Sequence, residues 1–209
     1  MPSSPAQMSG RQVLAKFGSR PSEMMAFLAP DRTQQLVRIY NIRTVKEAYL
    51  KDSISLAKLK KVYGGESIRM LLAVWINNLV EYAGCGINQS NEAFFEVSEL
   101  AYRECYYLGI CELALFFNRA KAGQYGSFYG RFDPIRLLEW LGQYLDERKL
   151  AVDQIRRDEE RRRRLDTKHS LAAITSADPT YFSLSRAKGK QVGALMSQML
   201  PAPQKSENE

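Results

Sequence analysis

From about residue 44 to residue 157 the apolar positions recur every three or four residues, the period of helices that turn one face to a core. Thr44 followed by Glu47 fits a capping box opening VKEAYL, because each side chain can serve the other residue's amide. Ser53 precedes ISLAKLKKVY, where Ile54, Leu56, Leu59 and Val62 supply the apolar side before Gly64 and Gly65 stop the element. In ESIRMLLAVWINNLVEYA, the positions Ile68, Leu71, Leu72, Trp75, Leu79 and Tyr82 form the inner face of a central helix ended by Gly84 and Gly86. Asn88 or Ser90 is placed to cap NEAFFEVSELAYRECYYL, whose buried side reads as Phe94, Val97, Leu100 or Ala101, and Tyr107. Gly109 separates that segment from the more apolar CELALFFNRAKA. Asp133 and Pro134 then open the last helix, the carboxylate accepting from early amides and the proline tolerated at the first position. Ile135, Leu138, Leu141, Leu145, Val152 and Ile155 carry this helix to about Arg164, with Arg148 interrupting the apolar spacing.

No alternation at period two persists long enough to demand a sheet. The expected fold is therefore all-α: a compact bundle of four or five helices with a long charged C-terminal helix and flexible ends. Hydrophobic residues make up 45% of the chain, enough for a core, but they concentrate between about 33 and 157. Residues 1–32 carry Pro2, Pro5, Pro21 and Pro30 among Ser, Gly and Met, with short apolar groups that do not offset the entropy of ordering. The expected organisation is a flexible N-terminal arm over 1–32, a helical core domain over 33–157, a basic helix extension over 158–169 and a flexible tail over 170–209. No window approaches the roughly 18 apolar residues of a membrane span, and the first residues lack the apolar run of a signal peptide. A cytoplasmic protein with no membrane partner is expected.

Charge changes this picture more than composition does. The net charge is +7, and residues 1–61 hold eleven Lys or Arg against four Asp or Glu, whereas residues 62–144 hold six against nine. A basic N-terminal third attracts nucleic acid or an acidic protein without choosing between them. Lys51, Lys58, Lys60 and Lys61 are its candidate phosphate contacts, and Arg161, Arg162, Arg163 and Arg164 form a second basic run. That second run lies among opposite charges at helical spacing, such as Asp153 with Arg156 and Arg157, so a solvated ion-paired helix end is the competing account.

The stretch KAGQYGSFYGRFDP, residues 121–134, raises the most specific question. It lacks the lysine and hydroxyl of a P-loop, and it follows a helix rather than the strand that a dinucleotide-binding glycine loop requires. Tyr125, Phe128 and Tyr129 are candidate stacking groups for an unpaired base, with Arg119, Lys121 and Arg131 near its backbone. The alternative is an aromatic loop that folds back to seal one end of the bundle.

Catalytic chemistry finds little support. Cys85, Cys105 and Cys111 show no C-x-x-C spacing, and His169 is the single histidine, so neither a disulfide framework nor a zinc centre is expected. Glu92 with Glu96, or Glu96 with Glu99, share a helix face but lack the second carboxylate-rich helix of a di-iron site. There is no G-x-S-x-G elbow for a serine nucleophile. Arg164 and His169 match R-x-x-x-x-H, which resembles the active motif of helical HEPN-type ribonucleases, yet four consecutive arginines make that spacing easy to find. The expectation is a noncatalytic protein without cofactor or metal, ribonuclease activity being a remote alternative.

The run LALFFNRAKAGQYGSFYGRFDPIRLLEWLGQYLDER, residues 113–148, resembles a segment of small, poorly characterised helical proteins of phages and mobile elements, particularly from Bacteroidetes. The matching positions are Lys121, Gly123, Tyr125, Gly126, Tyr129, Trp140, Leu141, Tyr144 and Arg148. This resemblance implies a role in replication or maintenance of a mobile element. The expected function is thus a DNA-replication accessory protein that binds DNA, preferably single-stranded, or a replication protein such as a helicase, with homo-oligomer formation open. A protein-interaction adaptor in host takeover or anti-defence, or a structural phage protein, is the alternative.

Overall fold

The computed structural model describes residues 8–51, 53–85, 91–128 and 130–177. Among these residues the chain forms nine α-helices: α1 (Gly10–Phe17), α2 (Pro21–Phe27), α3 (Pro30–Ile39), α4 (Val45–Leu50), α5 (Leu56–Tyr63), α6 (Gly65–Tyr82), α7 (Asn91–Cys105), α8 (Ile110–Lys121) and α9 (Pro134–Ala177). The all-α expectation stands, but the count of four or five helices is wrong. The first five helices have only six to ten residues each, too short for a periodic pattern to declare itself against loop sequence.

The N-terminal end is the second correction. Ser9 and Gln12 close a capping box on α1 that the sequence reading missed, and prolines at the first turns of α2 and α3 start helices rather than marking a loose arm. Val13, Phe17, Met24 and Leu28 join the same core as Trp75 and Phe117. Two bonds lock this segment down: the Tyr63 hydroxyl donates to the Gly18 carbonyl at 2.6 Å, and Trp75 Nε1 donates to the Leu28 carbonyl at 3.1 Å. A flexible arm over 1–32 is therefore overturned from residue 9 onward.

Other boundaries follow the expected chemistry. Thr44 and Glu47 make the reciprocal capping box of α4, and the backbone amides of Arg43 and Thr44, both donating to the Glu47 carboxylate, hold it below its ordinary pKa. Gly64, at φ +87°, separates α5 from α6. The Asp133 carboxylate accepts from the Ile135 amide at 2.9 Å and the Arg136 amide at 3.3 Å at the start of α9. The proposed caps Asn88 and Ser90 lie outside the described residues.

The apolar face of α6 sits at the centre, packed chiefly against α7, while α3 packs against α8. The short connection between α7 and α8 runs beside the start of α5, where the Leu56 amide bonds the Leu108 carbonyl and the Ile110 amide bonds the Ile54 carbonyl. This places Gly109 opposite Ser55 in an isolated antiparallel bridge.

The chain divides into one unit up to Ile155 and a second from Arg156. The first holds the core, which runs from Val13 to Tyr144 rather than beginning near residue 33. In the second, α9 continues to Ala177, beyond the predicted end near Arg164. Residues 178–209, the greater part of the predicted tail, lie outside the described residues. Among the described residues no helix is long and apolar enough to cross a membrane.

Candidate functional site

The α8–α9 connection spends its aromatic residues on the core. Phe128 is 6% exposed, its ring 4.4 Å from Trp140 and 5.3 Å from Phe132, and Phe132 stacks on Phe94 at 5.5 Å. Tyr125 is half-buried between Phe116 and Trp140, at 5.8 and 6.3 Å. Phe128 is thus closed to a stacking base, and Tyr125 presents no free face comparable to an open platform; Tyr129 lies outside the described residues. The glycines serve the fold back: Gly123, Gly126 and Gly130 all have positive φ, at +73°, +117° and +81°, where a side chain would be strained. Arg136 Nη1 fastens the loop by donating to the Ser127 carbonyl at 2.7 Å.

Two of the three cationic groups expected beside that loop, Lys121 and Arg119, are also engaged. Lys121 donates from Nζ to Asn78 Oδ1 on α6 at 2.6 Å and to Gln34 Oε1 on α3 at 3.3 Å, and its ammonium lies 5.1 Å from the centre of the Tyr82 ring. Burial lowers its pKa. A cleft of about 260 Å³ opens here, bordered by Tyr82, Lys121, Gly126, Ser127, Phe128 and Trp140.

Arg119 takes part in a charged seam between α8 and α9. It pairs through Nη1 with Glu147 at 2.6 Å and donates through Nη2 to the Arg43 carbonyl at 3.2 Å. Two turns earlier on α8, and at the very next residue of α9, the polarity reverses: Glu112 pairs with Arg148 Nε at 2.6 Å. Glu112 is 4% exposed and also accepts from the Gly109 amide at 2.9 Å, while the Arg148 guanidinium lies 4.8 Å from the ring centre of Tyr107 and 5.2 Å from that of Tyr49. Close to both pairs, the Tyr144 hydroxyl is buried with no hydrogen-bond partner among the described residues. Burial holds the Tyr125 phenol above its ordinary pKa against the pull of Arg119, and burial likewise raises Tyr144. This seam was missed in the sequence, although a glutamate inside CELALFF and an arginine breaking the apolar spacing of α9 were its visible signals.

The remaining sequence candidates are on the surface. Lys51 is exposed at the end of α4, its ammonium 3.4 Å from the centre of the Tyr40 ring. On α5, Lys58 is half-buried, Lys60 lies 4.4 Å from the Tyr102 ring centre and Lys61 is exposed. Arg131 is exposed in the α8–α9 connection. Arg161 to Arg164 are all exposed, and only Arg164 has a charge partner among the described residues, Glu160 at 2.6 Å. Among the described residues no group of three or more His, Cys, Asp or Glu could hold a metal ion.

Residues 93–190 match the model of a family of unknown function, DUF6633. The matched span contains both charged pairs of the α8–α9 seam and the loop between those helices. No curated protein and no solved structure matches the chain.

Proposed function

We propose that this chain is a noncatalytic accessory protein of DNA replication in a phage or mobile element, acting in the cytoplasm of a bacterial cell and holding DNA by its phosphates, with a replication helicase as the protein partner. The observation that carries the reading is the run Arg161, Arg162 and Arg163, three exposed guanidinium groups in succession with no acidic partner among the described residues. The basic balance of the N-terminal third, including Lys58, Lys60 and Lys61 on α5, supports it. The mobile-element setting and the helicase rest on the resemblance over 113–148. With Phe128 in the core, a preference for single strands loses its aromatic basis; phosphate contacts alone favour neither sequence nor single strands, and their salt dependence is steeper on duplex DNA.

The test is fluorescence anisotropy of labelled single-stranded and duplex DNA over a salt series. Affinity should fall steeply with salt, and R161A/R162A/R163A should reduce the log–log slope on duplex DNA by about 2–3, since each phosphate contact adds roughly 0.9. An unchanged slope, or no binding at low salt, would overturn the assignment. The second reading, a protein adaptor without nucleic-acid binding, is favoured by Ile39 and Leu50, whose apolar side chains are 72% and 55% exposed.

A further inference from the structure

A second cleft, unconnected with the α8–α9 loop, lies where α1, α2, α3 and the start of α8 meet the segment after α4. Its volume is about 330 Å³ and its wall is mainly apolar, with Phe17, Phe27, Leu28, Leu36, Ile54 and Ile110 contributing. Two cations stand on it, Lys16 and Lys51, drawn from helices that are distant in sequence. Each is exposed, each rests on an aromatic ring of the same cleft, 5.3 Å from the Phe17 centre and 3.4 Å from the Tyr40 centre, and neither has an acidic partner among the described residues. Both line this one cleft. In the cleft wall, burial raises the pKa of the half-exposed Cys111 thiol; its hydrogen bond with Ser53 and the charges of Lys51 and Lys16 act in the opposite sense, and Glu112 adds to the rise.

We propose that this cleft binds a free amphiphilic anion, an unbranched alkyl chain ending in a carboxylate, with the chain against the apolar wall and the carboxylate between Lys16 and Lys51. Apolar sites with a few convergent polar groups suit such ligands. The volume corresponds to about eleven water-sized shares, room for a chain of roughly ten carbons. An alkyl chain fits this wall better than a peptide does. A peptide's buried amides need several hydrogen-bond partners, whereas this wall is mainly apolar and its Ser53 hydroxyl, which accepts from the Cys111 amide at 3.0 Å, has only its O–H and one lone pair left to offer.

The probes are decanoate, octanoate, decanol and decyltrimethylammonium, each below its micellar concentration. They are followed by titration calorimetry and by the rate at which iodoacetamide alkylates Cys111, distinguished from Cys85 and Cys105 by peptide mass mapping. Decanoate should bind one to one and slow Cys111 alkylation at least fivefold. Octanoate, two methylenes shorter, should bind about fifteenfold more weakly, since each methylene contributes roughly fourfold, and decyltrimethylammonium should give neither signal. K16E/K51E should abolish binding, and the milder K16Q/K51Q, at two exposed positions, should weaken it at least tenfold with an unchanged circular dichroism melt. Equal binding of all three head groups, full affinity in K16Q/K51Q, or unchanged alkylation at saturating decanoate would each overturn the proposal.

Discussion

Glu112 is the residue whose loss should be felt most. It stands in an otherwise apolar helix, and its two oxygens satisfy the Arg148 guanidinium and the Gly109 amide together. Glu112→Ala leaves a mostly buried cation and a buried amide without acceptors, so chemical denaturation should show a loss of about 3–5 kcal/mol. The pair itself has a different worth from the loss of one member. In E112L/R148M the uncompensated cation is gone, and the remaining deficit should be about 1–3 kcal/mol, the cost of the orphaned Gly109 amide. If the double variant is as unstable as the single one, the ion pair is not the source. At this scale the sequence was only half legible: Arg148 stood out as an interruption of the α9 spacing, but nothing in one dimension pairs it with a glutamate 36 positions earlier.

At the scale of elements, the sequence showed what is written in neighbouring residues. The α4 capping box, the Asp133–Pro134 start and the α6 face from Ile68 to Leu79 appear where local chemistry put them. The pattern erred at helix ends, where a position on the apolar stripe lies beyond its partner. Tyr82 at the end of α6, Ile135 at the start of α9 and Tyr107 just past α7 are exposed, whereas of the alternatives Leu100 and Ala101 it is Ala101 that is buried. Gly109 shows a different limit. It reads as a helix breaker, yet its φ of −74° is open to any residue. The reason for glycine is crowding, because a Cβ there would sit 2.3 Å from Ser53 Oγ and 3.1 Å from the Ser53 carbonyl. Gly109→Ala should therefore displace Ser53 and break its bond to the Cys111 amide, lowering stability by about 1–3 kcal/mol. Adding Ser53→Ala relieves the closer clash without restoring that bond, so a cycle of thermal or urea unfolding should give a double variant less impaired than the sum. Strict additivity would place the cost elsewhere.

For the molecule as a whole, the N-terminal helices decide what counts as the folding unit. Pro, Ser and Gly at high frequency made residues 1–32 look unable to order themselves, and alone they bury little. What orders them is the face they find: Val13, Met24 and Leu28 are almost wholly inaccessible, and the main chain of Gly18 and Leu28 accepts the Tyr63 hydroxyl and the Trp75 indole. Removing residues 1–28 would expose the apolar surface under α1 and α2 and leave the buried Trp75 and Tyr63 donors without their acceptors. The sequence-based boundary near 33 predicts that such a truncated chain keeps its melting temperature. The structure predicts instead that it loses a cooperative thermal transition, shows raised binding of a hydrophobic dye and aggregates at concentrations where the full chain is dispersed. Restoring α1 and α2 as a separate peptide is the sharper arm of the same measurement. Recovery of the transition in proportion to added peptide would assign the defect to the missing contacts, and a truncated chain that melts like the full protein would show that the core closes without them.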